Sequence, residues 1–149
     1  MLEYNLIEHD EYWEIPLCYK PICGFRVDSE LKLDFLEPDD EETIVIIKGE
    51  FQLSVREKEY TMDAEKPTTL GPVFSLYRKT VKSAKAYKDD GRLEVEFFEG
   101  EKLCAPPDRN RNYESWEVKG VRHLLIVCKP SGGLAVWLAE LNGSEKNIH

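Results

Sequence analysis

Histidine is scarce in this chain of 149 residues: His9, His123 and His149 are the only three. His149 is terminal, His9 sits among carboxylates, and His123, between Arg122 and Leu124 at the start of an expected strand, reads as a surface residue. A nucleophile needs an oriented base beside it, and no Gly-x-Ser-x-Gly elbow occurs in the sequence. Cysteine is sparse too. Cys18 and Cys23 are separated by four intervening residues with no second pair to match them, and Cys104 and Cys128 stand alone, so zinc is not expected. The four are expected to be free thiols packed as small apolar side chains. Gly132-Gly133 lacks the Gly-Lys-Ser/Thr ending of a phosphate loop and reads as a hairpin turn. No cofactor and no metal is expected.

Long apolar runs are missing as well, and no stretch approaches the roughly 18 residues of a membrane span. The first twenty residues carry Glu3, Glu8, Asp10, Glu11 and Glu14 without a basic start, so a secretory leader is not expected and the reading is cytoplasmic. Basic residues are outnumbered, 20 against 29 acidic, giving a net charge of −9 and a pI near 4.9. Nucleic acid would meet net repulsion, whereas a basic protein would be steered toward such a surface. The length suits one domain with a sizeable core. We divide it into an N-terminal arm (1–21), a β-rich core (22–141) and a flexible tail (142–149).

What is present is strand grammar. Segments that alternate apolar and polar residues, separated by turn residues, predict strands at 24–28, 31–35, 43–48, 51–55, 81–87, 93–97, 102–105, 113–118, 124–128 and 134–138. Asp90-Gly91, Glu99-Gly100 and Ser131-Gly132-Gly133 supply turns, so neighbouring strands should be antiparallel. One short helix is expected at 70–79, capped by Thr68 or Thr69, with Pro72 in its first turn and an apolar stripe of Leu70, Val73, Phe74 and Tyr77. Leu31-Lys-Leu-Asp-Phe35 is echoed 62 residues later by Leu93-Glu-Val-Glu-Phe97, and Ile44 by Leu103. The expected fold class is therefore mainly β, a β-rich α+β chain: an antiparallel sheet or sandwich of two similar meanders with one short helix.

Carboxylates cluster at Asp39-Asp40-Glu41-Glu42, at Asp89-Asp90, at Glu94 with Glu96, and at Glu99 with Glu101. Glycoside chemistry needs two carboxylates in unlike environments within a cleft, and this pattern shows turns and strand faces in water. The plainest meaning of such clusters is a solvated face. Their functional meaning is a contact surface, for which Asp39, Asp40, Glu41, Glu42, Asp89, Asp90, Glu99 and Glu101 are the candidates. Tyr113, Trp116 and Trp137 read first as core.

The run Asp90-Gly-Arg-Leu93-Glu-Val-Glu-Phe97-Phe-Glu-Gly100-Glu-Lys-Leu103, then Pro107-Asp108, Tyr113-Glu114-Ser-Trp116 and Gly132-Gly133-Leu-Ala-Val-Trp137, resembles a small bacterial domain family of unassigned function. Its members look like WapI-type immunity proteins of polymorphic toxin systems. The resemblance covers the C-terminal third well and residues 24–81 by strand pattern alone; the four residues 109–112 lengthen one gap, and the N-terminal arm is extra. It implies a non-enzymatic protein that binds a cognate toxin domain, often a basic nuclease, which an acidic inhibitor would meet by charge mimicry. The alternative is a β-rich ligand-binding or regulatory interaction module, marked by a deep apolar cavity. Behind both stands a carboxylate-dependent hydrolase. Nothing in the sequence sets an oligomeric state.

Overall fold

The computed structural model describes residues 6–36, 42–107, 112–120, 124–130, 132–139 and 145–148. Its strands are β1 (Ile7–Glu8), β2 (Tyr12–Glu14), β3 (Ile22–Val27), β4 (Leu31–Leu36), β5 (Glu42–Ile47), β6 (Glu50–Val55) and β7 (Lys58–Asp63). There follow β8 (Val81–Tyr87), β9 (Leu93–Phe97), β10 (Lys102–Ala105), β11 (Trp116–Lys119), β12 (Leu125–Cys128), β13 (Leu134–Ala139) and β14 (Glu145–Ile148). They make two seven-stranded antiparallel sheets, ordered β1-β2-β8-β9-β10-β6-β7 and β14-β13-β12-β11-β5-β4-β3. The protein is mainly β.

Alternation explains which face each strand buries. Leu93, Val95 and Phe97 of β9 point inward while Glu94 and Glu96 are half-buried, and Leu31, Leu33 and Phe35 of β4 do the same in the other sheet. One apolar cluster joins both sheets, with Trp116, Phe35, Phe51 and Phe97 as its largest members. Each such side chain contributes about 1.5–3 kcal/mol by leaving water.

The echo in the sequence corresponds to a pseudo-twofold relation between the sheets. The meander β3-β4-β5 lies in one sheet and sends the hairpin β6-β7 to the other, where β6 pairs with β10. The meander β8-β9-β10 reciprocates, sending β11-β12 across to pair with β5. Even the irregularities match: a register shift follows the Ile22–Phe35 pair in β3, and another follows the Val81–Phe97 pair in β8. The turns before β3 and β8 are equivalent as well, with Lys20 N donating to Leu17 O (3.0 Å) and Lys79 N to Leu76 O (2.9 Å). Pro21 and Thr80 bridge each other where the halves meet. One detail of the echo is corrected by a residue. Val45, not Ile44, is the counterpart of Leu103, because Val45 faces Leu33 across the ladder as Leu103 faces Val95.

Several expectations are revised. The helical stretch is two 3-10 turns, Pro67–Thr69 and Gly71–Leu76, without a side-chain cap. Leu70, Val73 and Leu76 are the residues it buries, a spacing of three that suits a 3-10 winding, while Phe74 and Tyr77 face out. The N-terminal arm belongs to the fold: β2 pairs with β8, and Trp13, Ile15 and Leu17 enter the core. Within the segment expected to be loose, Glu145–Ile148 pairs with β13. β7 adds a strand that was not anticipated. The cysteines are free, but Cys18 and Cys23 are exposed and Cys104 half-buried, so only Cys128 packs as a core residue.

Candidate functional site

The acidic candidates divide between two ends of the molecule. Asp39, Asp40 and Glu41 lie outside the described residues, as do His123 and His149, and the backbone of Glu42 opens β5. Asp89 and Asp90 occupy the β8–β9 turn, whereas Glu99 and Glu101 flank the β9–β10 turn, with the length of β9, ~13 Å, between the two sets. The described candidates thus do not gather at one end.

At the first end the carboxylates are largely engaged by cations. Arg92 donates through Nε to Glu94 Oε2 (2.7 Å) and through Nη1 to Asp90 Oδ1 (3.1 Å), with Asp89 Oδ1 at 3.2 Å. Lys102 Nζ stands 2.8 Å from the other oxygen of Glu94. Burial pushes the Glu94 carboxyl up, but the hydrogen bonds from Lys102 and Arg92 outweigh it and leave its pKa below the ordinary value. Asp90 behaves alike: burial raises it, and the Arg92 backbone N–H and guanidinium bring it down further. The guanidinium also lies 3.8 Å from the centre of the Tyr87 ring. A cleft of about 420 Å³ opens here, lined by Asp10, Glu11, Tyr87, Lys88, Asp89 and Arg92. Its walls are charged, unlike the apolar lining typical of small-molecule pockets.

The motifs that carry the resemblance converge just beneath this turn. Trp116 Nε1, wholly buried, donates to Gly91 O at 2.9 Å. Gly91 has φ +89°, and a Cβ on it would stand 1.9 Å from the Gly132 carbonyl oxygen and 3.3 Å from Cys128 Sγ. Asp90-Gly91, Trp116 and Gly132 thus form a latch between the two sheets. Their bond pattern is that of a structural joint.

The opposite end presents aromatic side chains to water. Tyr19 and Phe98 stack with centroids 5.4 Å apart and are 71% and 50% exposed. Phe25 meets Phe74 edge-on at 5.1 Å and Tyr77 at 6.5 Å, with Phe74 and Tyr77 both near half exposure. Between these groups runs the strand crossing of 19–22 with 78–81: Tyr19 N donates to Val81 O, Val81 N to Lys20 O, Ile22 N to Lys79 O and Arg78 N to Ile22 O. Tyr19 and Arg78, equivalent by the pseudo-twofold, both take left-handed backbone conformations at φ 71° and 65°. That conformation is costly for a bulky residue and persists where neighbours enforce it, often at functional sites. Glu99 lies at this end, 2.5 Å from Lys79 Nζ, and Glu101 Oε2 lies 3.3 Å from the same atom. The Glu99 bond, set against the cost of burial, holds the Lys79 pKa above its ordinary value. Glu101 is buried, with Oε1 unpartnered among the described residues, which removes it from the contact surface. Sequence reasoning passed over this aromatic end. In the sequence Phe74 and Tyr77 fall on an apolar stripe, and nothing in Tyr19 or Phe98 alone separates surface from core.

Among the described residues no group of three or more His, Cys, Asp or Glu side chains could hold a metal ion, and no helix is long and apolar enough to cross a membrane. No curated protein and no solved structure matches the chain. A model for a family of unknown function, DUF6188, matches residues 13–138, from the core tryptophan of β2 to the penultimate residue of β13, and the chain belongs to that family.

Proposed function

We propose that this chain is a binding protein of the immunity type, which neutralises a cognate bacterial toxin domain by protein–protein contact and performs no catalysis itself. The supporting observation is the exposed aromatic end, fastened to both sheets and bordered by Glu99. Aromatic anchors at the centre and charge at the rim are the distribution found in energetic interfaces. The net charge of −9 suits a basic partner such as a nuclease and would act mainly on association rate. The sequence resemblance supports a toxin domain as the partner, and the exposed aromatic end supports this surface as the point of contact. Of the acidic candidates whose side chains are described, Glu99 borders this end, Glu101 is buried and Asp89 and Asp90 stand at the far end.

The test is co-expression with the toxin domain encoded beside this chain. Growth rescue and co-purification are expected, both lost in a Phe74→Ser/Tyr77→Ser double variant whose unfolding midpoint stays near wild type. Rescue that survives the double variant would remove the aromatic end from the interface, and no complex with any adjoining toxin domain would defeat the immunity reading.

A further inference from the structure

The pseudo-twofold relation makes the two sheets comparable strand by strand: β13-β14 lie outside β12 with no counterpart outside β7, and β1-β2 lie outside β8 with no strand outside β3 among the described residues, the position that bears on binding. Outside β8 lies β2, antiparallel, with Trp13 opposite Ala86, Glu14 opposite Lys85, and Ile15 N donating to Ala84 O at 2.9 Å. The counterpart of β8 is β3. By the spacing of 59 residues that relates Ile22 to Val81, Phe25 corresponds to Ala84, Arg26 to Lys85 and Val27 to Ala86. The chain that should then lie outside β3 is 71–74, which corresponds to 12–15. Instead it is wound into the second 3-10 turn, with Pro72 standing where Trp13 stands. Proline has no N–H to give to a ladder, so this segment cannot pair as β2 does. Only Phe74, the counterpart of Ile15, keeps its place, edge-on to Phe25.

The consequence is an open strand position. At Ile22 the edge of β3 is closed by Arg78 and Lys79, but among the described residues no strand lies beyond 25–27. There the backbone of Phe25 and Val27, like that of Ala84 and Ala86, turns away from its meander. Ala86 is wholly buried beneath Trp13, whereas Val27 is 39% exposed. An unpaired edge with an apolar flank is a template for another strand.

We infer that the β3 edge receives an extended segment of a protein partner, paired antiparallel and placing a bulky apolar residue opposite Val27. The chemistry is read from Trp13, which performs this role at the equivalent edge, opposite Ala86. This is recognition by strand addition: main-chain bonds supply affinity, and the side chain opposite Val27 supplies selectivity. It rests on the reading of the chain as a protein-binding module, and it adds the form in which the partner arrives.

The experiment uses the whole chain and a capped, fluorescently labelled peptide of its own residues 8–14, which carries the strand that fills the equivalent position and stops before Ile15, whose counterpart Phe74 is already in place. Anisotropy should rise on titration, and amide resonances of Phe25 and Val27 should shift in NMR spectra. Val27→Pro removes an N–H that points off the sheet, so the fold is retained while binding falls ~tenfold or more. A Val27→Thr control, which keeps the N–H and the strand, should bind within ~threefold of wild type. No binding at millimolar peptide, equal binding by Val27→Pro, or shifts confined to β8 would overturn the inference. So would a concentration-dependent dimer abolished by Val27→Pro, because the occupant would then be a second copy. If the adjoining toxin binds Val27→Pro as it binds wild type, strand addition fails while the immunity reading stands.

Discussion

Gly91 holds the two sheets in register through its lack of a side chain. Its φ of +89° is open to glycine and costly to other residues, and its Cα hydrogen points at the Gly132 carbonyl where a methyl group would overlap. Gly91→Ala should therefore destabilise the fold by about 3 kcal/mol or more, read as a lower urea midpoint with an unchanged slope. Trp116→Phe tests the same joint more gently. It keeps most of the ring volume and deletes the indole N–H, leaving Gly91 O buried without its donor, for a cost of about 1–3 kcal/mol. The double variant should cost less than the sum of the singles, because both act on one contact. Additive losses would show that Trp116 stabilises through packing alone.

At the scale of elements, the β8–β9 turn and the adjoining face of β10 depend on charge. Asp90 and Glu94 ionise at lower pH when folded than when unfolded. Just below the ordinary carboxylate range of about 4 the unfolded chain then binds more protons, so stability rises with pH across that window. The stabilisation is present above the window and lost as pH falls through the folded-state values. Glu94→Gln should cost about 1–2 kcal/mol at pH 7 and flatten the dependence of the urea midpoint between about pH 5 and pH 2. An equal slope in wild type and variant would assign the acid sensitivity to other carboxylates. The legibility of elements follows from their turns. β8, β9 and β10 were read to the residue because Gly91 and Gly100, both at positive φ, announce their turns. β7 was missed because its turn is built from Arg56 and Glu57 at φ 47° and 68°, a primed geometry that normally calls for Gly or Asn. β2 was missed because its three residues are too few for a period to show, and the 3-10 turns because a stripe spaced by three was taken for one spaced by 3.6.

At the scale of the whole molecule, the echo between 31–35 and 93–97 was visible in the sequence, but the exchange of hairpins was not. Which sheet a hairpin joins depends on long-range pairing, and alternation within β6 or β11 is the same for either destination. The aromatic end is likewise long-range, since Tyr19 meets Phe98 and Phe25 meets Phe74 where 19–22 crosses 78–81. The exchange has a thermodynamic consequence. Within residues 1–65, β3-β4-β5 makes one three-stranded piece, while β1-β2 and β6-β7 belong to the other sheet and are held apart there by β8-β9-β10. Within 66–149, β8-β9-β10 and β11-β12-β13-β14 likewise lie in different sheets, with no strand pairing between them among the described residues and the Trp116–Gly91 bond as a side-chain link. Each fragment alone leaves apolar faces uncovered and pieces of sheet disconnected, so neither should unfold cooperatively. Mixed or co-expressed, the fragments should assemble into a one-to-one complex with wild-type near-ultraviolet circular dichroism, because a cut between Glu65 and Lys66 falls in an exposed turn outside every strand. Folding of the intact chain should be slow for its size, since the ladders β5–β11 and β6–β10 both close long loops. A fragment of 1–65 that unfolds cooperatively by itself would mean that β6-β7 can pack on its own meander, and the exchanged arrangement would no longer account for the stability of the protein.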